Sequence, residues 1–456
     1  MANWNSALWL GVLGIMPLAS ASPLGLSEPS APPTASHPAS LPHTPFTGTP
    51  TTTGALTASS IGTGIVESAS VAPAETTYVS NGELQNAEPA PYVPAGGVGT
   101  EGQIPVYNAK SDFDYESLAL ALYQEWIELD LFQDGLRRFS AKDFEDAGLN
   151  AADRDLIAFM AEQEVGHATL ISNMLGADAP KQCQYDYPYT NVQEYLDFCQ
   201  KLTRFGESGV YGFLGHLDSR EAATLLTQSI TTEARQQMIF RQFEGLFPMP
   251  VWFEVGVPQS WAWTLLAPYI SSCPADQTRL VWQNFPALWI ENQPTLANAG
   301  KHNNGTAFNN TLSPGTNVAK SSSKENPNSK NGASGASVTP EKYSPLSFPG
   351  RRVDLRWEEP GKAVGPNNSY VTSTQAGEAK FVAWASQLNL TYTPLLGING
   401  SSGYTIQPDM ETYEGDPAVN GTMFIAITDS DTFLTPFNLS MINTHVVAGP
   451  ALYQAD

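Results

Sequence analysis

The stretch Ala161-Glu-Gln-Glu-Val-Gly-His167 places a carboxylate, Glu164, and an imidazole, His167, three residues apart. Residues three apart share one face of an α-helix. Apolar side chains recur on this face at helical spacing, at Ile157, Met160, Ile171 and Met174. The stretch therefore predicts a helix that carries an acid and a histidine into a hydrophobic core.

Three more segments repeat this pattern, each with a glutamate near the middle of an amphipathic period: Glu125, Glu207 and Glu233. Glu128 flanks the first of these and is an alternative inward carboxylate, although Glu125 is more central among its apolar neighbours. The four segments predict a four-helix bundle in which the glutamates meet near the axis. Residues outside the apolar stripes are interpreted as solvent-facing: Glu116, Glu162 and His216.

Buried carboxylates without counter-charge would cost many kcal/mol, so a bound metal ion is a natural source of positive charge. Two ions fit the pattern, the first held by Glu125, Glu164 and His167, and the second by Glu207, Glu233 and the shared Glu164. Oxygen-rich ligation suits iron or manganese, and two adjacent redox metals can react with dioxygen or peroxide. Glu164 and His167 could instead form a hydrogen-bonded structural couple without metal. Two tyrosines near the ligand positions are candidate hydrogen-bond donors or oxidisable neighbours: Tyr123 and Tyr211.

The helical segments resemble the ferritin-like superfamily. The matching motifs are Glu125 with an aromatic residue seven later, Glu164-x-x-His167, Glu207-Ser-Gly-Val-Tyr211 and Ser229-Ile-Thr-Thr-Glu-Ala-Arg235. More narrowly, the chain is similar to the fungal Rds-type stress-response proteins, through Trp384-Ala-Ser-Gln-Leu-Asn-Leu-Thr-Tyr-Thr-Pro394, Val419-Asn-Gly-Thr-Met-Phe424 and Gly449-Pro-Ala-Leu-Tyr453. The resemblance covers about residues 105–456. It implies a mainly α fold, a ferritin-like four-helix bundle with extra short helices, followed by a smaller β-rich C-terminal region. It points to a stress-response protein but to no particular reaction.

The chain departs from the family pattern at two positions. Where the second family motif reads Glu-x-x-His, this sequence has Glu233-Ala-Arg-Gln236, so a weaker amide-oxygen ligand replaces an imidazole. Ferritin heavy chains resemble this chain in lacking a helix-four histidine. Phe132 replaces the tyrosine expected near the first ligand and removes a hydrogen-bond donor. The second half of the metal site is therefore predicted to be weakened.

Composition changes divide the chain into five parts. Residues 1–21 contain a short apolar run followed by Ala19-Ser-Ala21, which predicts a signal peptide cleaved after Ala21. Residues 22–104 are rich in Ser, Thr and Pro and are predicted to be disordered. The bundle is assigned to residues 105–294, an Asn/Ser-rich linker to 295–342, and the β-rich region to 343–456. Residues 251–293 are predicted to form shorter helices beside the bundle.

Charge and cysteine content narrow the function classes. Acidic residues outnumber basic ones 45 to 22, and the formal charge of −23 argues against binding to nucleic acid or anionic lipid. The N-terminal apolar run is too short to span a bilayer, and no transmembrane segment is predicted. Cys183 and Cys273 lie in non-periodic, Pro-flanked segments and are the candidate disulfide, with Cys199 interpreted as a buried helical thiol.

Potential N-glycosylation sites are absent between residues 112 and 294 and lie at Asn304, Asn309, Asn367, Asn389, Asn399, Asn420 and Asn438. With the predicted leader, they indicate a secreted glycoprotein, free or retained at the cell wall. Two functions follow: an exported stress-response protein that binds iron or manganese, or a non-catalytic surface protein that keeps the bundle as a scaffold. Iron storage in a closed cage is disfavoured, because the stalk and the β-rich region would obstruct a shell. Whether the chain is an enzyme is left open.

Overall fold

The computed structural model describes residues 107–294 and 345–455, apart from residues 245, 276, 278, 415 and 417–420. The predicted signal peptide, Ser/Thr/Pro-rich segment and Asn/Ser-rich linker lie outside the described residues. The same holds for three of the sequons: Asn304, Asn309 and Asn420.

The helices form the bundle that the sequence predicts. They are α1 (Asp112–Arg138), α2 (Ala141–Asp146), α3 (Ala151–Leu175), α4 (Val192–Leu214), α5 (Arg220–Glu244) and α6 (Gln259–Leu266). Ser111, Asn150 and Asn191 begin α1, α3 and α4, since each side chain accepts a hydrogen bond from the backbone N–H three residues on. α1 packs along α3, and α4 packs along α5. None of the described helices is both long enough and apolar enough to cross a bilayer.

The strands confirm a β-rich C-terminal region. They are β1 (Gln184–Tyr185), β2 (Ile270–Ser272), β3 (Leu288–Ile290), β4 (Arg352–Trp357), β5 (Ala363–Val364), β6 (Tyr370–Val371), β7 (Phe381–Ser386), β8 (Asn389–Pro394), β9 (Ser402–Ile406), β10 (Thr422–Thr428) and β11 (Val446–Gln454). One sheet has the order β11-β10-β7-β8 and a second the order β3-β4-β9. The pairs β1-β2 and β5-β6 form two small sheets, and all named strand pairings are antiparallel.

The four-stranded sheet is buried on both faces. Successive side chains of a strand point to opposite faces. On β7, Ala383 and Ala385 belong to the core formed with the helices, whereas Val382 and Trp384 belong to a second core shared with the three-stranded sheet. Burial on both faces explains why β10 is an almost uninterrupted apolar run. The β-rich region therefore lies directly on the bundle.

Residues 251–293 differ from their prediction. Their described part contains a single α-helix, α6, followed by a 3₁₀ turn at Ala267–Tyr269. Elsewhere the segment is extended, with β2 paired to β1 and β3 paired to β4. Proline is excluded from the interior of a helix, and Pro268 lies in the 3₁₀ turn and Pro286 in the extended part, whereas Pro258 is the N-cap of α6. The pairing of β3 joins the segment before the linker to the C-terminal sheets.

A disulfide joins Cys183, before β1, to Cys273, after β2. It connects the long α3–α4 connection to the segment that follows α6. Cys199 is a buried free thiol within α4. The part of the chain between Cys273 and β3 is thus held by a disulfide at its start and by strand pairing at its end.

The segment that leads into α6 rests on the backbone of α4. The N–H of Val257 donates to the carbonyl of Ser208 at 2.9 Å. A Cβ atom on Gly212 would lie 1.8 Å from the carbonyl oxygen of Val257, so this contact excludes any side chain at residue 212.

We expect Gly212→Ala to lower the melting temperature by several degrees, although alanine is normally favoured over glycine inside a helix by about 1 kcal/mol. The matched control is Gly166→Ala on α3, where an added Cβ meets nothing within 4 Å and should raise the melting temperature slightly. Thermal unfolding followed by circular dichroism compares the two variants. An increase in both melting temperatures would contradict the close approach.

Candidate metal site

Glu164 and His167 lie on the face of α3 that points into the bundle, where Glu164 is fully buried and His167 is 9% exposed. Nδ1 of His167 lies 3.1 Å from Oε2 of Glu164 and 3.3 Å from Oε2 of Glu125 on α1. Nδ1 carries at most one hydrogen, and it is hydrogen-bonded to Glu164, so Oε2 of Glu125 is left without a hydrogen-bond partner among the described residues. One ligand atom from each of the three residues lies within 4.8 Å of the others, which is close enough to hold one metal ion.

Two more carboxylates face the same space. Oε1 of Glu233, on α5, lies 3.8 Å from Nδ1 of His167. Glu128, one turn after Glu125, is fully buried and its Oε1 accepts a hydrogen bond from Gln124 at 2.7 Å. Oε1 of Glu233 and Oε2 of Glu128 have no hydrogen-bond partner in the described part of the chain. Glu125 and Glu128 are thus both inside the bundle.

Glu207, on α4, is fully buried but is held by protein groups. The hydroxyl of Tyr211 donates to its Oε1 at 3.0 Å, and Nη2 of Arg204 lies 3.1 Å from its Oε2. Arg204 is only 3% exposed and also pairs with Glu254, between α5 and α6. Oε1 of this predicted ligand is therefore hydrogen-bonded, and Oε2 is ion-paired with Arg204 but has no hydrogen-bond partner among the described residues.

Gln236, the residue that replaces the second histidine, lies beside Glu164. Its Nε2 donates to Oε1 of Glu164 at 2.5 Å and to Oε1 of Gln163 at 3.3 Å. On the other side of the imidazole, Oγ1 of Thr232 lies 2.9 Å from Nε2 of His167. Contacts to both ring nitrogens hold the imidazole in one orientation, and Nδ1 faces the carboxylates.

Of the five buried carboxylates, Glu125, Glu164 and Glu233 pair with His167 and Glu207 pairs with Arg204. The fifth, Glu128, makes no ion pair that the described residues show. Burial raises the pKa values of Glu125, Glu128 and Glu233 well above their usual range, and neighbouring carboxylates raise them further. Burial also raises the pKa of Glu207 to about 7, against the lowering effect of Arg204. For His167, burial lowers the pKa, but the carboxylates of Glu125 and Glu164 outweigh it and raise the pKa to about 12. The cluster therefore carries an excess of negative charge that protons or a cation must compensate.

The two tyrosines predicted to lie near the ligands have different environments. Tyr211 contacts Glu207, as described above. Tyr123 is engaged elsewhere, because its hydroxyl accepts a hydrogen bond from Gln277 at 2.7 Å and its ring packs edge-on against Trp263. The reason is helical geometry: two residues correspond to about 200° of rotation, so Tyr123 and Glu125 point to opposite sides of α1.

Two residues of the site were not predicted from the sequence. Arg204 precedes Glu207 by three residues, an ion-pair spacing on a helix that could have identified it. Thr232 approaches His167 from another helix, and no pattern along the chain indicates that contact.

The fold and the cluster define a ferritin-like protein. Residues 112–246, which include the four long helices and all five carboxylates, match the family model of the ferritin-like domain. The chain is also 50% identical over 384 residues to Protein rds1 of Schizosaccharomyces pombe, a match that covers 84% of this chain and 90% of that protein. The chain therefore belongs to the Rds-type ferritin-like proteins.

Glu116 lies outside the cluster and was predicted to face solvent, but it is only 4% exposed. The extended segment after α6 covers this side of α1, and Val281 N–H donates to Oε2 of Glu116 at 3.2 Å. Burial raises the pKa of Glu116 to about 7. Glu162 is exposed as predicted, whereas His216 is half-buried, with its ring against Phe437. The apolar pattern along the α1 sequence could not show that the extended segment after α6 covers the outer side of this helix.

We expect Glu116→Gln to stabilise the protein above about pH 7. The folded state holds the proton of Glu116 up to a pKa of about 7, whereas the unfolded state releases it near 4.5. The wild type therefore loses stability as the pH rises through this window, by about 1 to 3 kcal/mol, and glutamine does not. Denaturant unfolding of both proteins at pH 4 and pH 8 measures the difference. If the gain in unfolding free energy of Glu116→Gln over the wild type were no larger at pH 8 than at pH 4, the raised pKa of Glu116 would be contradicted.

Proposed function

We propose that this protein is an exported stress-response member of the Rds-type ferritin-like family, and that its carboxylate and histidine cluster binds one or two iron or manganese ions. The observation that carries the proposal is the convergence of Glu125, Glu164 and His167 inside the bundle, with their ligand atoms within 4.8 Å of one another. Buried charges in proteins are normally paired or metal-bound.

The residues fit a metal ion chemically. Two carboxylates and one imidazole are hard and borderline donors that suit iron and manganese. Oxygen atoms of Glu125 and Glu233 are buried without hydrogen-bond partners among the described residues, which is costly unless a cation satisfies them. Thr232 orients His167, as a partner of the distal imidazole nitrogen does for metal-ligating histidines.

A bound iron or manganese ion would supply redox chemistry toward dioxygen or peroxide. The protein's own part is to hold Glu125, Glu164 and His167 in place and to keep bulk water out, since all three side chains are buried. The proposal concerns metal binding in a stress response, and it assigns no turnover.

Export is the second part of the proposal. It is supported by the N-terminal apolar run with Ala19-Ser-Ala21, by the Ser/Thr/Pro-rich segment and by the sequons. Of the sequons in the described residues, Asn367 and Asn399 are exposed. The side chain of Asn389 donates to the carbonyl of Glu411 at 3.0 Å, and that of Asn438 accepts from the N–H of Thr435 at 2.7 Å. Asn367 and Asn399 are therefore the first sites to examine for glycans.

Metal analysis of protein purified without chelators tests the first part. We expect at least about one equivalent of iron or manganese per chain, and expect Glu164→Ala to remove it. The matched control is Glu162→Ala, two residues away on α3 but exposed, which should keep the metal. Less than about a tenth of an equivalent in the wild type would rule out the metal function. If Glu164→Ala and His167→Ala then left stability unchanged or higher, the non-catalytic surface scaffold would be favoured.

Expression in a fungal host tests export. The protein should be recovered outside the cell membrane, in the medium or the wall, with Ser22 as its first residue. Treatment with an N-glycosidase should increase its electrophoretic mobility, and Asn367→Gln with Asn399→Gln should reduce that increase. Recovery from the cytosol with Met1 or Ala2 at the N-terminus would contradict this part and leave the metal proposal intact.

A further inference from the structure

Arg204 is a buried cation placed next to a predicted metal ligand. Its guanidinium is 3% exposed and approaches Oε2 of Glu207 to 3.1 Å. A guanidinium stays protonated at every pH that a folded protein survives. The carboxylate of Glu207 therefore has a permanent counter-charge that belongs to the chain itself.

The other oxygen of Glu207, Oε1, accepts a hydrogen bond from the hydroxyl of Tyr211 at 3.0 Å. A divalent ion ligated by Glu207 would lie within a few Å of the guanidinium. Two like charges at about 4 Å repel strongly in a low-dielectric interior. Metal binding at Glu207 would thus require Arg204 to leave a position that two carboxylates hold.

Arg204 is fixed from its other side as well. It pairs with Glu254, whose side chain is 31% exposed. The backbone next to Glu254 is held by the β-rich region, since the N–H groups of Trp252 and Phe253 both donate to Oε1 of Gln387 at 2.9 Å. Gln387 follows β7 with a positive φ of 49°, and its Nε2 donates to Asp416 at 2.5 Å. A continuous set of contacts therefore runs from the C-terminal sheet through Glu254 to Arg204 and Glu207.

Gln236 brings no charge to the second half-site. Its amide group is neutral, its Nε2 donates to Oε1 of Glu164 at 2.5 Å, and its own Oε1 is buried without a hydrogen-bond partner among the described residues. The first half-site differs, because Glu125, Glu164 and His167 converge on one point.

We infer that the cluster takes one divalent ion, held by Glu125, Glu164 and His167, and that Arg204 stands in the place of the second ion as a built-in cation. The inference rests on the proposed function for the presence of a metal, and it narrows the number of ions per chain from one or two to one. Glu207 then anchors Arg204 and is not a metal ligand, so the protein itself balances the negative charge of the second half-site.

Titration of the full chain with Mn²⁺ tests the stoichiometry, by calorimetry and by elemental analysis after gel filtration. We expect one ion per chain in the wild type and in the double variant Arg204→Met with Glu207→Gln, with dissociation constants within about threefold of each other. Glu164→Gln should weaken binding by about 100-fold or more.

Two ions per chain in the wild type, or loss of Mn²⁺ in the double variant, would overturn the inference and leave the proposed function standing. Absence of any Mn²⁺ binding would overturn the proposed function. The role of Arg204 as the counter-charge of Glu207 would then be tested in protein without metal.

A double-mutant cycle in chelator-treated protein provides that test. Arg204→Met alone should lower the melting temperature by about 5 °C or more, because it leaves Glu207 buried and uncompensated, and Glu207→Gln alone should also lower it. The double variant should lose clearly less than the sum of the two, since it removes both charges. The matched control is the exposed pair Lys142 and Asp146, where Lys142→Gln and Asp146→Asn should be additive. Additive losses at Arg204 and Glu207 would show that they are not counter-charges and would overturn the inference.

Discussion

Negative charge buried between four helices is the constraint on which the rest of the structure depends. Each long helix brings a fully or almost fully buried glutamate to the bundle interior, and α1 brings two. An uncompensated buried charge costs several kcal/mol, whereas a whole domain is stable by only about 5 to 15 kcal/mol. The bundle can therefore keep these glutamates only with compensating positive charge or bound protons. His167 and Arg204 supply part of that compensation, the first beside Glu164 and the second beside Glu207.

A second group of buried charges in the same bundle shows why the cluster is unusual. Asp197, Lys201, Arg241 and Glu244 lie on α4 and α5 and are all nearly or fully buried. Lys201 Nζ lies 2.8 Å from Asp197, and Arg241 Nε donates to the carbonyl of Phe247 at 2.7 Å. Two acids and two bases balance there in formal charge. The cluster around His167 has five acids for two bases, and this imbalance is what a cation would correct.

The β-rich region takes part in the site. Its central sheet buries one face against the helices, and Gln387 holds the segment that carries Glu254. Glu254 in turn holds Arg204. The β-rich region thus helps to set the charge of a cluster to which its described residues contribute no side chain.

The sequence by itself determined the helices of the bundle and which of their faces are buried. Polar residues at Glu125, Glu164, His167, Glu207 and Glu233 interrupt apolar stripes of helical period, and such a pattern can be read along one chain. The change to short β-prone segments after the linker was readable in the same way. These signals are local, because a helix face or a strand is specified by residues a few positions apart.

Only the tertiary structure decided how the cluster is compensated. Glu116 is buried because an extended segment covers the outer side of α1, and Glu207 is ion-paired with Arg204 and hydrogen-bonded by Tyr211. Thr232 and Gln236 reach the α3 residues from α5, and Glu254 is positioned by a turn more than a hundred residues later in the chain. No periodicity records these contacts, because the energy of a buried charge depends on every group that surrounds it in space and not on its neighbours in sequence.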